Sequence, residues 1–244
     1  MAKSEHTPMM RQYLSFKDKH PEAVLLFRMG DFYEMFFDDA KICARELGLA
    51  LTSRDKGEDP VPMAGFPHHA ADNYIKRLIR AGYRVAVCEQ VQDPKEASGL
   101  VERDVTRVIT PGTLTEEHIL DSRANNFLAA IAPGDGDTAG VAWVDLSTGR
   151  FELEEAPRGN IADSLQRIAP AECLLPEAED PEDDPCRPVL QNLPEGCLIT
   201  RRMPWEFGVQ EGRRALNEHF ETSTLEGFGV NDMGPALGAA GAVL

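Results

Sequence analysis

Val24-Leu25-Leu26-Phe27-Arg28-Met29-Gly30-Asp31-Phe32-Tyr33-Glu34-Met35-Phe36 sets the architecture of the first half of the chain. The apolar run Val24–Phe27 has the length of a buried strand. After Gly30, residues Phe36, Ala40, Cys43, Ala44 and Leu47 recur at helical spacing, and Gly48 supplies a C-terminal stop. The segment therefore predicts a strand over Val24–Met29, a corner at Gly30 and an amphipathic stretch running to Leu47. A strand-to-helix corner pushes side chains outward. It would present an aromatic, Phe32, two residues ahead of a carboxylate, Glu34.

Upstream, Met9, Met10, Tyr13, Leu14 and Phe16 lie on one helical face of residues 1–20, which Pro21 interrupts. Downstream, Leu49–Ser53 suits a short strand and Asp55–Pro62 a polar loop. A helix over Ala70–Ala81 would bury Tyr74, Ile75, Leu78 and Ile79, and Gly82 ends it. Arg84–Glu89 and Val105–Thr110 read as strands, the second closed by Pro111-Gly112. Together these predict a compact mixed α/β domain.

The polar, acidic segment Thr113–Arg123 reads as a linker or connecting helix. A second unit follows, with strands at Asn126–Ala132, Thr138–Leu146 and Arg150–Glu154, a helix over Asn160–Ile168 and a strand over Glu172–Leu175. Strands joined by hairpins and then alternating with helices predict an α/β sheet of ribonuclease-H-like type. Residues 176–188 are acidic and proline-rich, a solvated loop. Pro235 suits the first turn of a helix, and Ala236–Leu244 then runs apolar without a polar close. The expectation is a fragment of a longer protein.

A length of 244 residues, 42% hydrophobic and 27% charged, is that of a globular protein of one large or two ordinary domains. The longest apolar runs fall short of a membrane span, and the start has no signal-peptide core, so cytoplasmic residence is expected. Five cysteines, never spaced C-x-x-C, point to reduced thiols and not to a disulfide scaffold or zinc site. The net charge of −16 argues against a nucleic-acid binder, but it is unevenly spread. Residues 1–111 carry 16 Lys/Arg against 17 Asp/Glu, and residues 112–244 carry 9 against 24. The near-neutral first half could still present a basic face to phosphates, which would repel the acidic second half. Charge thus makes the first half the better DNA candidate by a small margin.

Several further segments support a resemblance. They are His6-Thr7-Pro8-Met9-Met10, Pro62-Met63-Ala64-Gly65-Phe66-Pro67-His68-His69-Ala70, Val87-Cys88-Glu89-Gln90-Val91, Val101-Glu102-Arg103 and Thr110-Pro111-Gly112-Thr113. Trp205-Glu206-Phe207 and Gly227-Phe228-Gly229-Val230 complete the series. With Phe27 to Glu34 they span nearly the whole chain in order, and they resemble the amino-terminal part of the MutS mismatch-repair family. The resemblance implies a mismatch-recognition domain over 1–111 and a connector domain over 112–244, truncated at its end. It makes Phe32 the aromatic that enters the minor groove and stacks on a mispaired or unpaired base. Glu34 becomes the hydrogen-bond partner of the displaced base. For the full-length protein it implies a homodimer, a MutL-type partner, and ATP with Mg in a C-terminal domain outside this chain. No Gly-Lys dipeptide occurs, so the chain has no Walker A loop and is not expected to be an enzyme.

Other readings are weaker. Arg28, Arg54, Lys76, Arg77, Arg80 and Arg84 could contact phosphates, and none of the six is assigned. Lys76, Arg77 and Arg80 share one side of a helix, for which a solvated face is the usual explanation. Met63–His69 reads as a loop packed beside the corner. Adjacent histidines, His68 and His69, diverge on helix or strand and make a poor metal pair. Gly134-Asp135-Gly136-Asp137-Thr138-Ala139 mimics a dinucleotide fingerprint but lies between two strands, which suits a hairpin turn. Asp145 stands where a ribonuclease-H-like nuclease places its first magnesium ligand, and catalysis would need more acids beside it. A protein-interaction module without DNA selectivity is the third reading, resting on the acidic second half.

Overall fold

The computed structural model describes residues 6–53, 60–92, 99–114 and 125–244, so the loop expected at Asp55–Pro62 and the segment expected at Thr113–Arg123 lie mostly outside the described residues. The chain forms two compact units, Met1–Thr110 and Pro111–Leu244.

The first unit contains helix α1 (Pro8–Lys19), strands β1 (Ala23–Met29) and β2 (Phe32–Phe36), helix α2 (Phe37–Leu47) and strands β3 (Thr52–Ser53) and β4 (Pro62–Pro67). Helix α3 (Ala71–Arg80) and strands β5 (Arg84–Gln90) and β6 (Arg103–Ile109) complete it. The six strands form one sheet in the order β3-β4-β2-β1-β5-β6. Only β1 and β5 pair in parallel; the other neighbours are antiparallel. Helix α1 begins where Thr7 accepts a hydrogen bond from Met10 N at 3.3 Å and Pro8 takes the first turn. Its buried Met9, Met10, Tyr13 and Phe16 pack on Leu25, Phe27, Phe36, Ala86 and Cys88 of the sheet. On Phe66 of β4, the ring of Tyr74 from α3 stacks at 4.3 Å.

Two sequence expectations change here. The corner at Gly30 is a β-hairpin, in which Met29 faces Phe32, and the helix starts only at Phe37. Of the two loop residues Gly30 and Asp31, only Gly30 has a positive φ, 59°, which glycine enters without steric cost. Burial alternates from Phe32 to Met35, the period of a strand. Helical spacing is genuine from Phe36 onward, but it does not reach back to Gly30. The segment Met63–Pro67 is not a loop but belongs to strand β4, which lies against β2 along its full length. Its prolines sit at the strand ends, where a missing N–H is tolerated.

The second unit contains strands β7 (Phe127–Pro133), β8 (Thr138–Asp145) and β9 (Arg150–Pro157), helix α4 (Ile161–Ile168), strand β10 (Glu172–Pro176) and the short helix α5 (Arg187–Leu190). Strand β11 (Leu198–Arg202) and helices α6 (Val209–His219) and α7 (Pro235–Val243) follow. The sheet order is β11-β10-β7-β8-β9: an antiparallel meander of β7, β8 and β9, then β10 and β11 added in parallel. Hairpin-joined strands followed by strands alternating with helices are what the sequence predicts for a sheet of ribonuclease-H-like type. Helix α4 packs on Ala129, Ile131, Val141 and Trp143, and the opposite face, with Leu128, Ala130 and Ala142, is covered by Phe207, Leu216 and Leu237. Gly134 N donates to Thr138 O at 3.0 Å, so the apparent dinucleotide motif closes a hairpin. Helix α7 sits close to its neighbours: a Cβ on Gly140 would overlap the backbone of Pro235 and Ala236, and one on Gly212 the Leu237 carbonyl. No helix among the described residues is long and apolar enough to cross a membrane.

Candidate nucleic-acid interface

Strand β2 lies between β1 and β4, with Phe32 flanked by Met29 and Pro67 and Glu34 flanked by Phe27 and Gly65. A strand's two-residue period puts Phe32, Glu34 and Phe36 on one face. It is the face that α1 covers, and the cover runs out along the strand. Phe36 is fully buried, Glu34 half-buried, and Phe32 is 47% exposed at the hairpin tip. Both residues singled out from the sequence therefore come together on one strand face.

Gly65 opens the flank of Glu34. A Cβ there would meet the Tyr33 carbonyl at 3.0 Å and Glu34 Cγ at 3.6 Å. Beneath the same face lies Arg103, 7% exposed. It donates to the Arg28 carbonyl at 2.8 Å, to Gln12 Oε1 at 2.9 Å and to the Val101 carbonyl at 3.0 Å. Its guanidinium stands 4.8 Å from the centre of the Phe27 ring. Burial pulls its pKa below the ordinary arginine range, while Cys88 and Glu34 favour the charge. An arginine keeps its proton in such a setting, so a fixed positive charge underlies the site.

On the opposite face the Tyr33 hydroxyl donates to Glu89, and Arg28 approaches Glu89 at 3.7 Å. Burial, then Glu89, pushes the Tyr33 phenol up to about 12, which keeps it a donor. The root of β2 is held from below. Asp39, 3% exposed, accepts from the Tyr13 hydroxyl at 2.9 Å, Lys17 Nζ at 2.8 Å and Leu25 N at 3.1 Å. This network supports a turn in which Phe37 takes φ 53°, a conformation bulky residues rarely adopt.

Several phosphate candidates have other work. Arg77 donates to the Leu47 and Glu46 carbonyls at 2.9 and 2.8 Å, closing the C-terminus of α2. Arg28 is engaged with Glu89 and Gly30, and Arg84 with Glu22. Arg54 lies outside the described residues. Replacing Arg77 with alanine is expected to destabilise the first unit by about 1 kcal/mol, read by urea unfolding.

In the second unit Asp145 is 1% exposed and accepts from Ser147 N at 3.0 Å and Ser147 Oγ at 2.6 Å. Burial raises its pKa, but these bonds and backbone donors outweigh that and leave it lowered. Its carboxylate is spent on the β8–β9 turn. Among the described residues, no three His, Cys, Asp or Glu side chains are grouped to hold a metal, so the acids a nuclease would need do not converge on it. The His68 and His69 rings meet edge to face at 5.9 Å. Sequence reasoning missed the roles of Gly65, Asp39 and Arg103, which come from neighbours on other strands and helices that linear spacing does not display.

Both units are domains of a known kind. Residues 7–118 match the family model for MutS domain I, and residues 126–244 that for MutS domain II. The chain belongs to the MutS family. It is 47% identical to the DNA mismatch repair protein MutS of Rhodopirellula baltica, over 98% of this chain and 28% of that protein. The protein of the same name from Symbiobacterium thermophilum is 47% identical over 100% of this chain and 28% of its own length. That from Chlorobium phaeobacteroides is 43% identical over 98% and 28%. The chain thus spans just over a quarter of the length of these relatives.

Proposed function

We propose that residues 1–111 recognise mispaired or unpaired bases in duplex DNA, in mismatch repair, and that residues 112–244 form a connector domain. The observation that carries this is the half-exposed Phe32 at a hairpin tip, with Glu34 beside it on the same strand face. An apolar wedge entering the minor groove unstacks a base step at a cost of a few kcal/mol. Kinking the site adds roughly 1–6 kcal/mol. A mismatch has already lost pairing and stacking, so its penalty is smaller than that of a matched step. Deformability is read, and sequence is not.

Glu34 sharpens the difference. Its carboxyl would bond the displaced base, and as an anion it would repel the phosphates of matched DNA, where no base is offered in return. The open flank at Gly65 supports such an approach, and Arg103 holds charge beneath it. The neutral variant Glu34→Gln is expected to bind matched duplex more tightly and to lose about three- to tenfold in discrimination. Unchanged affinities for both duplexes would sink that role.

This chain is proposed as a binding module and not as an enzyme. ATP and Mg do not fit it, because no phosphate-binding loop is present. Coupling to ATP binding and hydrolysis, homodimerisation, cytoplasmic residence and a MutL-type partner for the connector complete the proposal for the longer protein. The reading is tested by an amide-shift titration at low salt with a G·T duplex and its matched counterpart. Shifts at Phe32 and Glu34 that favour the mismatch support it; equal shifts reject it for this chain.

A further inference from the structure

The peptide that joins Asp31 to Phe32 is held from across the sheet by one residue. The Asp31 carbonyl accepts from His68 N at 2.9 Å, and His68 Nδ1 lies 3.1 Å from the same oxygen. The first bond extends the β2–β4 ladder one step beyond the Phe32–Pro67 pair. The second is a side-chain bond that the ladder does not require. A carbonyl oxygen only accepts, so the hydrogen must sit on Nδ1. The His69 ring lies edge to face with that of His68, at 5.9 Å between centroids.

The placement matters because a peptide is planar. The Asp31 carbonyl, the Phe32 amide and the Phe32 Cα belong to one rigid unit, so holding the oxygen holds that Cα. The pairing of Phe32 with Met29 and Pro67 then limits the direction in which its side chain leaves the backbone. Hairpin tips otherwise open locally at little cost. A wedge on a loose tip loses the orientation that makes insertion selective.

We propose that His68 is a positioning residue for Phe32, its Nδ1–H clamping the Asp31 carbonyl so that the ring is presented in one direction before DNA arrives. The inference rests on the reading of Phe32 as the inserting aromatic. The opposite imidazole nitrogen takes no part in it, which separates this role from a general need for a polar residue at position 68.

Asparagine carries its amide nitrogen at the reach of Nδ1, and glutamine carries it at the reach of Nε2. The test compares wild type with His68→Asn, His68→Gln, His68→Ala and Phe32→Ala in the full 244-residue chain. In the free protein at about pH 8.5, imidazole nitrogen shifts should show the Nδ1–H tautomer. Amide exchange at Phe32 should quicken in His68→Ala and His68→Gln but not in His68→Asn. With G·T and matched duplexes, the alanine and glutamine variants should lose about fivefold in mismatch preference, the worth of one hydrogen bond, while asparagine keeps it. Thermal midpoints should stay together.

An Nε2–H tautomer, or full preference in His68→Ala while Phe32→Ala loses it, would overturn the clamp. Wild-type preference retained in Phe32→Ala would instead reject the wedge reading, leaving the tautomer and the exchange rates to decide the clamp alone.

Discussion

Replacing Phe32 with alanine should remove the preference for mismatched over matched duplex while leaving the fold intact. Stacking a base on an aromatic is worth about 1–3 kcal/mol by alanine substitution, so the loss should reach roughly 5- to 150-fold in mismatch affinity. Matched DNA, which admits no ring, should be bound as before. The two halves of this expectation come from one feature. Phe32 is 47% exposed, so truncation leaves no core cavity, and the stability change should stay within about 0.5 kcal/mol. Phe36, four residues further along the same face, is fully buried and offers the contrast. Its truncation should cost about 3–5 kcal/mol and abolish binding through unfolding. Amide titration with both duplexes, alongside thermal unfolding, separates the two. A Phe32→Ala protein that kept its mismatch preference would remove the wedge from the mechanism.

Gly140→Ala should be among the most damaging single methyl groups in the second unit. A Cβ at this position on β8 would overlap the backbone of Pro235 and Ala236 in the first turn of α7. No flexible side chain stands there to move aside. The turn is also pinned by Glu155, whose Oε1 accepts from Gly234 N at 2.6 Å and from Ala236 N at 3.3 Å. Either α7 shifts and those bonds stretch, or β8 bends. The expected cost is about 2–3 kcal/mol, a fall of roughly 5–10 °C in the unit's thermal midpoint. Gly136→Ala is the control. It has φ 65° in the adjacent hairpin and nothing within 4 Å of an added Cβ, so it should cost only about 1 kcal/mol, for backbone conformation. Equal midpoints for the two variants would refute close packing as the cause. Gly212→Ala meets the Leu237 carbonyl of the same helix, so its effect should not add to that of Gly140→Ala.

Much of this architecture is legible in the sequence, and the exceptions share a cause. Helices α1 and α3 and strands β5 to β10 show the periods of their elements, because most of them bury or half-bury one face against a core. Strand β11 and helix α6 show little. The edge strand β9 at least packs Phe151 and Leu153 on the core. The edge strand β11 carries Leu198, Thr200 and two arginines with little apolar period, and α6 buries only Gly212 and Leu216. The hairpin at Gly30 was hidden differently: β2 and α2 adjoin without a loop, so two periods run together across Phe36-Phe37. For the site, sequence and resemblance name Phe32 and Glu34 but not what surrounds them. Arg103 reaches Gln12 and Arg28 from 91 and 75 residues away, and Asp39 reaches Tyr13 from 26. Contacts of that range follow from strand order, which no local pattern contains.

The decline in burial along β2 also has a mechanical meaning. A probe that pries bases apart must be stiffer than the stack it enters, or it bends before the stack opens. Phe32 projects from the end of a strand bonded on both sides, whose far end is bolted into the core at Phe36. Load on the ring is carried lengthwise down that beam and shared across six strands. An aromatic on a free loop would make the same contact and yield under it.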